Sequence, residues 1–325
     1  MRRVAVLGAI ALGGCSPTPL GYLEGSASES QDILQRLGIG LSLVSVAVIL
    51  VIIALIAIAM ARSSRAVRTD GDIVERSGSG LLLIYWGVAL SLPVLVALAA
   101  WTFEATNAIA NPPAGAHLKA TVTGHRWWWE VRYDGPGGAG TVTSANQLVI
   151  PTGVPVVLDL NSADVIHDFW VPKLGPKMDM IPGRTNTSWI EARMPGNYRV
   201  QCAEYCGIEH AHMAMVVRAM APADYRAWLA KERSDALAPA APLFTERCGA
   251  CHTVRGSDAA GIAGPELTHF ASRPTIAAGA LPNSPANLDR WIDDPQGVKP
   301  GAMMPKVALT PIERVQLVQW LERLQ

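Results

Sequence analysis

The chain has 325 residues, half of them hydrophobic, and its 27 basic residues balance its 27 acidic residues. This length allows two domains or three small ones. A net charge of zero, with no segment that supplies a clustered basic surface, argues against nucleic acid as the main partner. The hydrophobic residues are concentrated in discrete blocks, which favours membrane lipid as a partner.

The N-terminus has the pattern of a bacterial secretory signal. Arg2 and Arg3 precede an apolar run over residues 4–12, and Gly13-Gly14-Cys15 follows. The run is too short to span a bilayer. The Leu-Gly-Gly-Cys arrangement is similar to a lipobox, which predicts removal of residues 1–14 and lipid attachment at Cys15. An ordinary signal peptide with an incidental cysteine is the alternative.

Two longer apolar blocks predict a transmembrane hairpin within residues 15–111. The first span, about 37–61, contains no charged residue, and the second, about 81–101, tolerates Pro93 because neighbouring protein can absorb a kink. The loop between them is rich in arginine, which places it in the cytoplasm and the rest of the chain outside. These arginines are Arg62, Arg65, Arg68 and Arg76. A buried helical hairpin in a soluble protein is the alternative.

Residues 112–222 have the pattern of a β-sandwich or barrel. Short alternating or β-branched runs are separated by turns rich in glycine and proline. The runs lie near residues 120–123, 147–150, 154–160, 187–190 and 198–200. Residues 223–242 then predict a short helix, starting at Pro222 and ending near Glu232, and a semi-rigid linker of alanine and proline.

The last segment, residues 243–325, is helical in pattern and predicts a small all-α domain. It closes with Thr310-Pro-Ile-Glu313, a capping box with proline at the first helical position. Leu317, Leu321 and Leu324 follow on one face of the predicted helix.

Residues 202–213 combine two thiols, an imidazole and a thioether within twelve positions, and a second imidazole lies upstream. The side chains are those of Cys202, Cys206, His210 and Met213, with His167 as the upstream partner. Soft sulfur together with imidazole nitrogen and a weakly binding methionine selects copper rather than a hard cation. A structural disulfide between the two cysteines is the alternative, although it leaves the histidines and the methionine unexplained.

This cluster, behind a two-helix hairpin, resembles cytochrome c oxidase subunit II, whose two-copper CuA centre lies in a cupredoxin-like domain. The resemblance covers the hairpin and the segment to about Met220. It implies that the two thiolates bridge both coppers, that each histidine binds one copper, and that methionine and a backbone carbonyl bind weakly. The residues concerned are Cys202, Cys206, His167, His210, Met213 and Glu204, whose side chain would also reach a magnesium ion at the subunit I interface.

A tryptophan triplet, Trp127-Trp128-Trp129, follows Gly124-His-Arg. On its own, such a triplet in a strand indicates core or interface packing. The same family resemblance implies that Trp127 is the point of electron entry.

The motif Cys248-x-x-Cys251-His252 in an exported chain predicts covalent attachment of heme c, with His252 as the proximal iron ligand. A thioredoxin-like redox pair is the alternative, but no βαβ pattern surrounds the motif. The sixth ligand is expected to be a methionine downstream.

Residues 299–305 resemble the methionine motif of class I cytochromes c, as do residues 264–267 and 288–292. Alignment of the Pro-Gly pair favours Met304 over the adjacent Met303. The Pro265 carbonyl is the expected acceptor for the second ring nitrogen of His252. The other histidines have no partner motif and are assigned surface or packing roles; they are His117, His125, His212 and His269.

The sequence therefore predicts a multidomain chain: a two-helix transmembrane hairpin, a cupredoxin-like β-sandwich and an all-α cytochrome c domain. Its resemblance to bacterial heme-c-containing oxidases implies an electron-entry subunit of cytochrome c oxidase. Electrons from cytochrome c or quinol-cytochrome c reductase would pass through heme c to CuA and on to subunit I, accompanied by subunit III, for oxygen reduction to water.

The signal pattern, the two apolar spans and the arginine-rich loop predict a multi-pass protein of the bacterial inner membrane with both cofactor domains on the periplasmic side. Two alternatives remain open on the sequence alone. One is a CuA- and heme-c-bearing subunit of a nitric oxide reductase, and the other is a stand-alone membrane-anchored electron shuttle.

Overall fold

The computed structural model describes residues 27–66, 79–113, 115–116, 118–134, 141–236 and 241–325. Several residues of interest lie outside the described ranges, namely Cys15, Arg68, Arg76 and His117.

Two long helices open the described chain, α1 (Glu29–Ala66) and α2 (Ser79–Ala110). Both contain stretches long and apolar enough to cross a membrane, and the most apolar part of each is not buried within the protein. At about 1.5 Å per residue, each helix exceeds the roughly 30 Å of a hydrocarbon core. The exposed apolar surface indicates membrane anchoring rather than a buried hairpin, and the helices extend beyond the predicted spans at both ends.

The outer ends of the hairpin are tied to the β-domain. The Ser28 hydroxyl, just before α1, donates to the Leu174 carbonyl at 2.8 Å. At the end of α2, the Trp189 indole donates to the Ile109 carbonyl at 2.7 Å. These bonds fix the β-domain against the same end of both helices.

The predicted β-domain contains ten strands, of which β1, β4, β5, β8 and β9 coincide with the predicted runs. The strands are β1 (Leu118–His125), β2 (Trp128–Asp134), β3 (Thr141–Ala145), β4 (Gln147–Pro151), β5 (Val156–Ser162), β6 (His167–Trp170), β7 (Met178–Met180), β8 (Asn186–Ile190), β9 (Gly196–Cys202) and β10 (Ala214–Met220).

These strands form two five-stranded sheets. The first has the order β3-β2-β1-β5-β8, and the second has the order β4-β10-β9-β6-β7. Strands β1 and β5 are parallel, as are β4 and β10, whereas the other pairs are antiparallel. Placing β9 between β10 and β6 brings distant parts of the sequence to one end of the second sheet.

The sandwich encloses an apolar core of its own. Leu148, Leu158 and Leu160 are completely buried, and burial alternates with partial exposure along β5 as expected for a strand with one inward face. Burial of each large aliphatic side chain contributes about 1.5–3 kcal/mol to folding. The fold-class prediction of a β-sandwich is confirmed.

The remaining chain is helical. Helix α3 (Pro222–Glu232) has the predicted bounds, and residues 241–325 contain α4 (Pro242–Arg247), α5 (Pro285–Asp293), α6 (Pro295–Val298) and α7 (Pro311–Leu321). The capping box at the start of α7 is present. Leu317, Leu321 and Leu324 are all buried, but α7 ends at Leu321, so Leu324 lies beyond the helix on which it was predicted. The all-α prediction for this region is confirmed apart from a two-residue ladder between β11 (Thr275–Ile276) and β12 (Leu281–Pro282).

Candidate functional site

The sulfur-rich loop connects two adjacent strands of the second sheet. Strand β9 ends at Cys202, β10 begins at Ala214, and the Cys202 N–H donates to the Met213 carbonyl at 3.2 Å to close the loop. Strand β6 lies on the other side of β9, with Phe169 opposite Cys202. His167, at the start of β6, is therefore brought to this loop although it lies 35 residues upstream.

The five predicted side-chain ligands meet at this loop. The two cysteine Sγ atoms are 3.8 Å apart, far beyond the roughly 2.05 Å of a disulfide, and both cysteines are free. The other separations are Cys202 Sγ to His167 Nδ1 at 3.9 Å, Cys206 Sγ to His210 Nδ1 at 3.7 Å, and Cys206 Sγ to Met213 Sδ at 3.8 Å. The disulfide that the spacing allows is not formed.

Asp164 orients the upstream histidine. Its Oδ1 lies 2.8 Å from His167 Nε2, which leaves Nδ1 directed toward Cys202. Burial lowers the pKa of His167, but the Asp164 carboxylate and the Cys202 thiol outweigh burial and raise that pKa overall. Asp164 was not predicted as part of the site, although its position three residues before the histidine was a usable signal.

The two thiols differ in how readily they ionise. The Cys206 thiol lowers the pKa of Cys202, with help from His167, whereas Cys202 and burial raise the pKa of Cys206. One proton of the pair is therefore released easily and the other is retained. A metal that binds thiolates would displace the second proton, because ligand sulfur must be deprotonated.

The loop fits copper by its donor set. The ligand atoms of His167, Cys202 and Cys206 lie within 4.8 Å of one another, and all three residues are buried. Thiolate, imidazole and thioether donors suit copper better than a hard cation. The backbone carbonyl of Glu204 also faces the site, 3.3 Å from Cys202 Sγ, while its side chain is exposed.

The three tryptophans have different environments. Trp129 is fully buried in the sandwich core, and Trp128 stacks on His125 with ring centroids 4.2 Å apart. Trp127 instead lies against the sulfur-rich loop, where its Nε1 donates to the Cys206 carbonyl at 2.9 Å. Gly207 permits this contact, because its φ is +122° and a Cβ there would lie 2.7 Å from the indole.

An apolar cavity of about 270 Å³ lies beside this indole and extends into residues 241–325. Side chains of the helical core line much of its wall: Phe244, Leu288, Ile292, Leu317 and Leu321. Cys248, Cys251 and His252 line it as well, and so does Trp127. The thiols and the imidazole of the heme motif therefore face the same apolar space.

The His252 ring is held by the predicted acceptor. Its Nδ1 lies 2.7 Å from the Pro265 carbonyl, and burial lowers its pKa, which favours the neutral ring that binds metals. Both candidate methionines line the cavity, but Met303 is 76% exposed whereas Met304 is half-buried. Gln296 donates to the Met304 carbonyl at 3.2 Å and so fixes this loop. An apolar cavity with these groups on its wall fits a heme.

A buried ion pair that was not predicted from the sequence supports the cavity wall. Arg273 lines the cavity and lies 3.6 Å from a carboxylate oxygen of Glu266, while it also donates to the Glu266 carbonyl. Burial raises the pKa of Glu266 and lowers that of Arg273. A single arginine near a heme motif carries no pattern by which the sequence could reveal this role.

The unassigned histidines that the structure describes have packing or surface contacts. His125 stacks on Trp128, His212 lies 2.7 Å from a carboxylate oxygen of Glu209, and His269 is buried next to the Ser234 carbonyl. None of the three belongs to the copper-type ligand set.

Comparison with known families gives two adjacent matches. Residues 135–220 match the family described as cytochrome C oxidase subunit II, periplasmic domain, and residues 237–325 match the family described as cytochrome c. Cytochrome c oxidase subunit 2 of Alkalihalophilus pseudofirmus is 38% identical over 213 residues, covering 63% of this chain and 60% of the relative. The corresponding protein of Bacillus sp. (strain PS3) is 32% identical over 201 residues, covering 56% and 55%.

The chain thus spans 60% or less of the length of these two relatives. A solved structure of the periplasmic domain of subunit II of cytochrome oxidase of Bradyrhizobium japonicum is 30% identical, covering 36% of this chain and 94% of that chain with a TM-score of 0.34. By the two family models, residues 135–220 are similar to the periplasmic domain of cytochrome c oxidase subunit II and residues 237–325 of the same chain are similar to cytochrome c.

Proposed function

We propose that this chain is the electron-entry subunit of a terminal respiratory oxidase. Electrons from an external donor would enter at the cytochrome c domain. They would leave toward subunit I, where oxygen is reduced to water, from the sulfur-rich loop of residues 202–213, called the copper-type loop from here on. The observation that carries the proposal is the position of Trp127, which lines the apolar cavity and donates to the Cys206 carbonyl. One side chain thus contacts both cofactor sites. Relatives named cytochrome c oxidase subunit 2 support the same role.

The subunit II domain implies copper. The proposed ligands are Cys202, Cys206, His167, His210, Met213 and the backbone carbonyl of Glu204. When bound, a copper pair supplies a one-electron carrier whose charge is spread over both metals. Asp164 holds His167 by Nε2 and so keeps Nδ1 free for metal, which is the common role of a carboxylate behind a ligating histidine.

The cytochrome c domain implies heme. We propose covalent attachment at Cys248 and Cys251, with His252 and Met304 as the side chains that would bind the heme iron. When bound, heme with this ligation supplies a second one-electron carrier of raised potential. The Pro265 carbonyl fixes the plane of the His252 ring, and the exposure of Met303 supports Met304 as the ligand.

The membrane arrangement is also a proposal. Residues 1–14 would be removed, Cys15 would carry lipid, and residues 15–111 would cross a bacterial inner membrane twice. The cupredoxin-like domain (112–222), the helix and linker (223–242) and the cytochrome c domain (243–325) would then lie on the periplasmic side. Subunits I and III are the proposed partners, with the exposed Glu204 carboxylate reaching a magnesium ion at the subunit I interface.

Purification of the full chain from its native membrane, followed by assays of oxygen and nitric oxide consumption, tests this proposal. We expect copurification with an oxidase subunit I and oxygen consumption driven by reduced cytochrome c or by a quinol-cytochrome c reductase. Nitric oxide consumption without oxygen consumption would assign the chain to a nitric oxide reductase. Electron transfer without any copurifying large subunit would leave a membrane-anchored shuttle.

A further inference from the structure

Lys299 is buried where the cytochrome c domain meets the copper-type loop. Only 2% of this residue is exposed, although it belongs to the surface-type motif Lys-Pro-Gly that precedes the candidate methionine ligand. Lysine is almost never this deeply buried unless its ammonium is paired or hydrogen-bonded. The burial of the Lys299 ammonium therefore requires partners that the proposed electron relay does not supply.

The Lys299 ammonium has a complete set of acceptors from both domains. Nζ donates to the Trp127 carbonyl at 2.8 Å and to the His212 carbonyl at 2.9 Å, both in the sandwich domain. It also donates to the Ala277 carbonyl at 3.0 Å, in the cytochrome c domain. An ammonium has three N–H donors and no acceptor, so these three carbonyls match its capacity.

The contacts around Lys299 form a continuous interface. The Ala214 N–H, at the start of β10, donates to the Ala278 carbonyl at 3.1 Å. Gly301 has φ of +80°, and a Cβ at this position would lie 2.8 Å from Ile208 Cδ1 and 3.4 Å from the Trp127 ring. The chain around Gly301 is thus packed directly on the loop that carries the copper-type ligands.

Charge at this site is balanced by backbone dipoles and one carboxylate. Burial lowers the pKa of Lys299 to about 8, and Glu209 partly offsets that effect. The ammonium is consequently the main form at neutral pH. Hydrogen bonds to a charged donor are stronger than those between neutral groups, so three of them hold the interface firmly.

We infer that Lys299 is a positioning residue that fixes the cytochrome c domain on the copper-type loop through three backbone carbonyls. It keeps the Trp127 ring between the heme-type cavity and Cys206. This role rests on the proposed electron relay, because a fixed separation between two carriers matters only if electrons pass between them.

Amide hydrogen exchange on the full heme- and copper-loaded chain in detergent tests the docking directly, using Lys299→Met and the matched control Lys306→Met. Lys306 lies seven residues further on and is exposed. The Ala214 amide reports the interface, and the amides of β5 report the sandwich. Loss of three hydrogen bonds to a charged donor should lower protection of Ala214 about ten- to a hundredfold in Lys299→Met, with β5 and the control unchanged. Equal Ala214 protection in both variants would overturn the inference.

Electron transfer from heme to copper, started by a light-activated reductant, gives the second readout. The transfer rate in Lys299→Met should fall by about the same factor and become dependent on solvent viscosity, because transfer then waits for docking. Absence of transfer in the unmodified chain would contradict the proposed function. Equal, viscosity-independent rates in the unmodified chain and in Lys299→Met would contradict the positioning role alone.

Gly301→Val provides a second variant if Lys299→Met fails to take up heme. Valine is strained at this positive φ, and its side chain would displace Ile208 and press toward the Trp127 ring while Lys299 stays intact. We expect the same loss of Ala214 protection, with an unchanged copper spectrum. Unchanged protection in Gly301→Val would also count against a packed interface at this position.

Discussion

The sandwich domain, which carries the copper-type loop, and the helical region of residues 241–325, which carries the heme motif, are stabilised in different ways. The sandwich has a closed apolar core, with Trp129, Leu158 and Leu160 fully buried, and its ligand loop lies at one end. In the helical region, core residues such as Phe244 and Leu317 instead face a cavity of about 270 Å³. Copper would therefore bind to a domain that is already folded, whereas heme would fill part of the core of the helical region.

The size of the cavity gives this difference a magnitude. At about 24 cal/mol per Å³, filling an enclosed space of this volume is worth about 6 kcal/mol, and filling this cavity is worth less because it is partly open to solvent. A whole domain is stable by only about 5–15 kcal/mol. The helical region should thus depend on its cofactor for folding, and the sandwich should not.

Preparation of the chain without heme should have the largest effect, and it should affect the two regions differently. We expect residues 241–325 to lose protection from proteolysis and amide exchange, while β1 to β10 keep theirs, because the cavity is lined mostly by side chains of the helical region. A copper-free, heme-loaded preparation is the control, and both regions should stay protected in it. Native-like protection of α5 and α7 without heme would contradict the comparison.

Leu158→Ala tests how much the apolar core of the sandwich contributes to its stability. Truncation of a completely buried leucine should lower the free energy of unfolding of the sandwich by about 2–5 kcal/mol. Urea unfolding of the copper-free chain, followed by tryptophan fluorescence, measures the change. Met194→Ala, at an exposed position of the same domain, serves as the control and should change stability little. A loss as small as that of the control would show that the sandwich core is not its main source of stability.

Asp164→Ala tests whether the copper-type site is assembled in advance by the protein. Loss of the carboxylate behind His167 should weaken copper affinity about 10- to 100-fold without unfolding the sandwich. Competition with a chelator measures the affinity. Unchanged copper affinity would mean that the His167 ring needs no fixing.

Changes at the capping box of α7 should have the smallest effect. Thr310→Ala removes the side-chain bond to the Glu313 N–H and should cost about 1 kcal/mol in the helical region.

The Thr310 N–H lowers the pKa of Glu313 in the folded chain. This carboxylate therefore adds stability above its unfolded pKa of about 4.3, and the gain is lost as pH falls through the lower folded pKa. Thermal melts of Glu313→Gln against pH should therefore converge with the unmodified chain at low pH. A difference that persists there would contradict the assignment.

Much of this architecture could be predicted because it depends on local pattern. Strands such as β5 alternate visibly, and the cap of α7 is written in four consecutive residues. Strands β2, β3, β6, β7 and β10 lie outside the predicted runs. Of these, β6 and β7 have only four and three residues and cannot show an alternating pattern. The candidate ligands could also be predicted from the sequence, because the chemistry that identifies them lies in their side chains.

The docking of the two domains could not be predicted in the same way. Lys299 reads as an ordinary surface charge because its acceptors are backbone carbonyls at Trp127, His212 and Ala277. Carbonyl groups leave no trace in side-chain patterns. Contacts of this kind depend on how two folded domains meet, which the sequence does not encode locally.

Electron paramagnetic resonance of the copper-loaded full chain tests directly whether the sulfur-rich loop holds a copper pair. The arrangement of Cys202, Cys206, His167, His210 and Met213 predicts a signal from one unpaired electron shared by two coppers. A signal from a single isolated copper, or no signal with the two cysteines found as a disulfide, would contradict it.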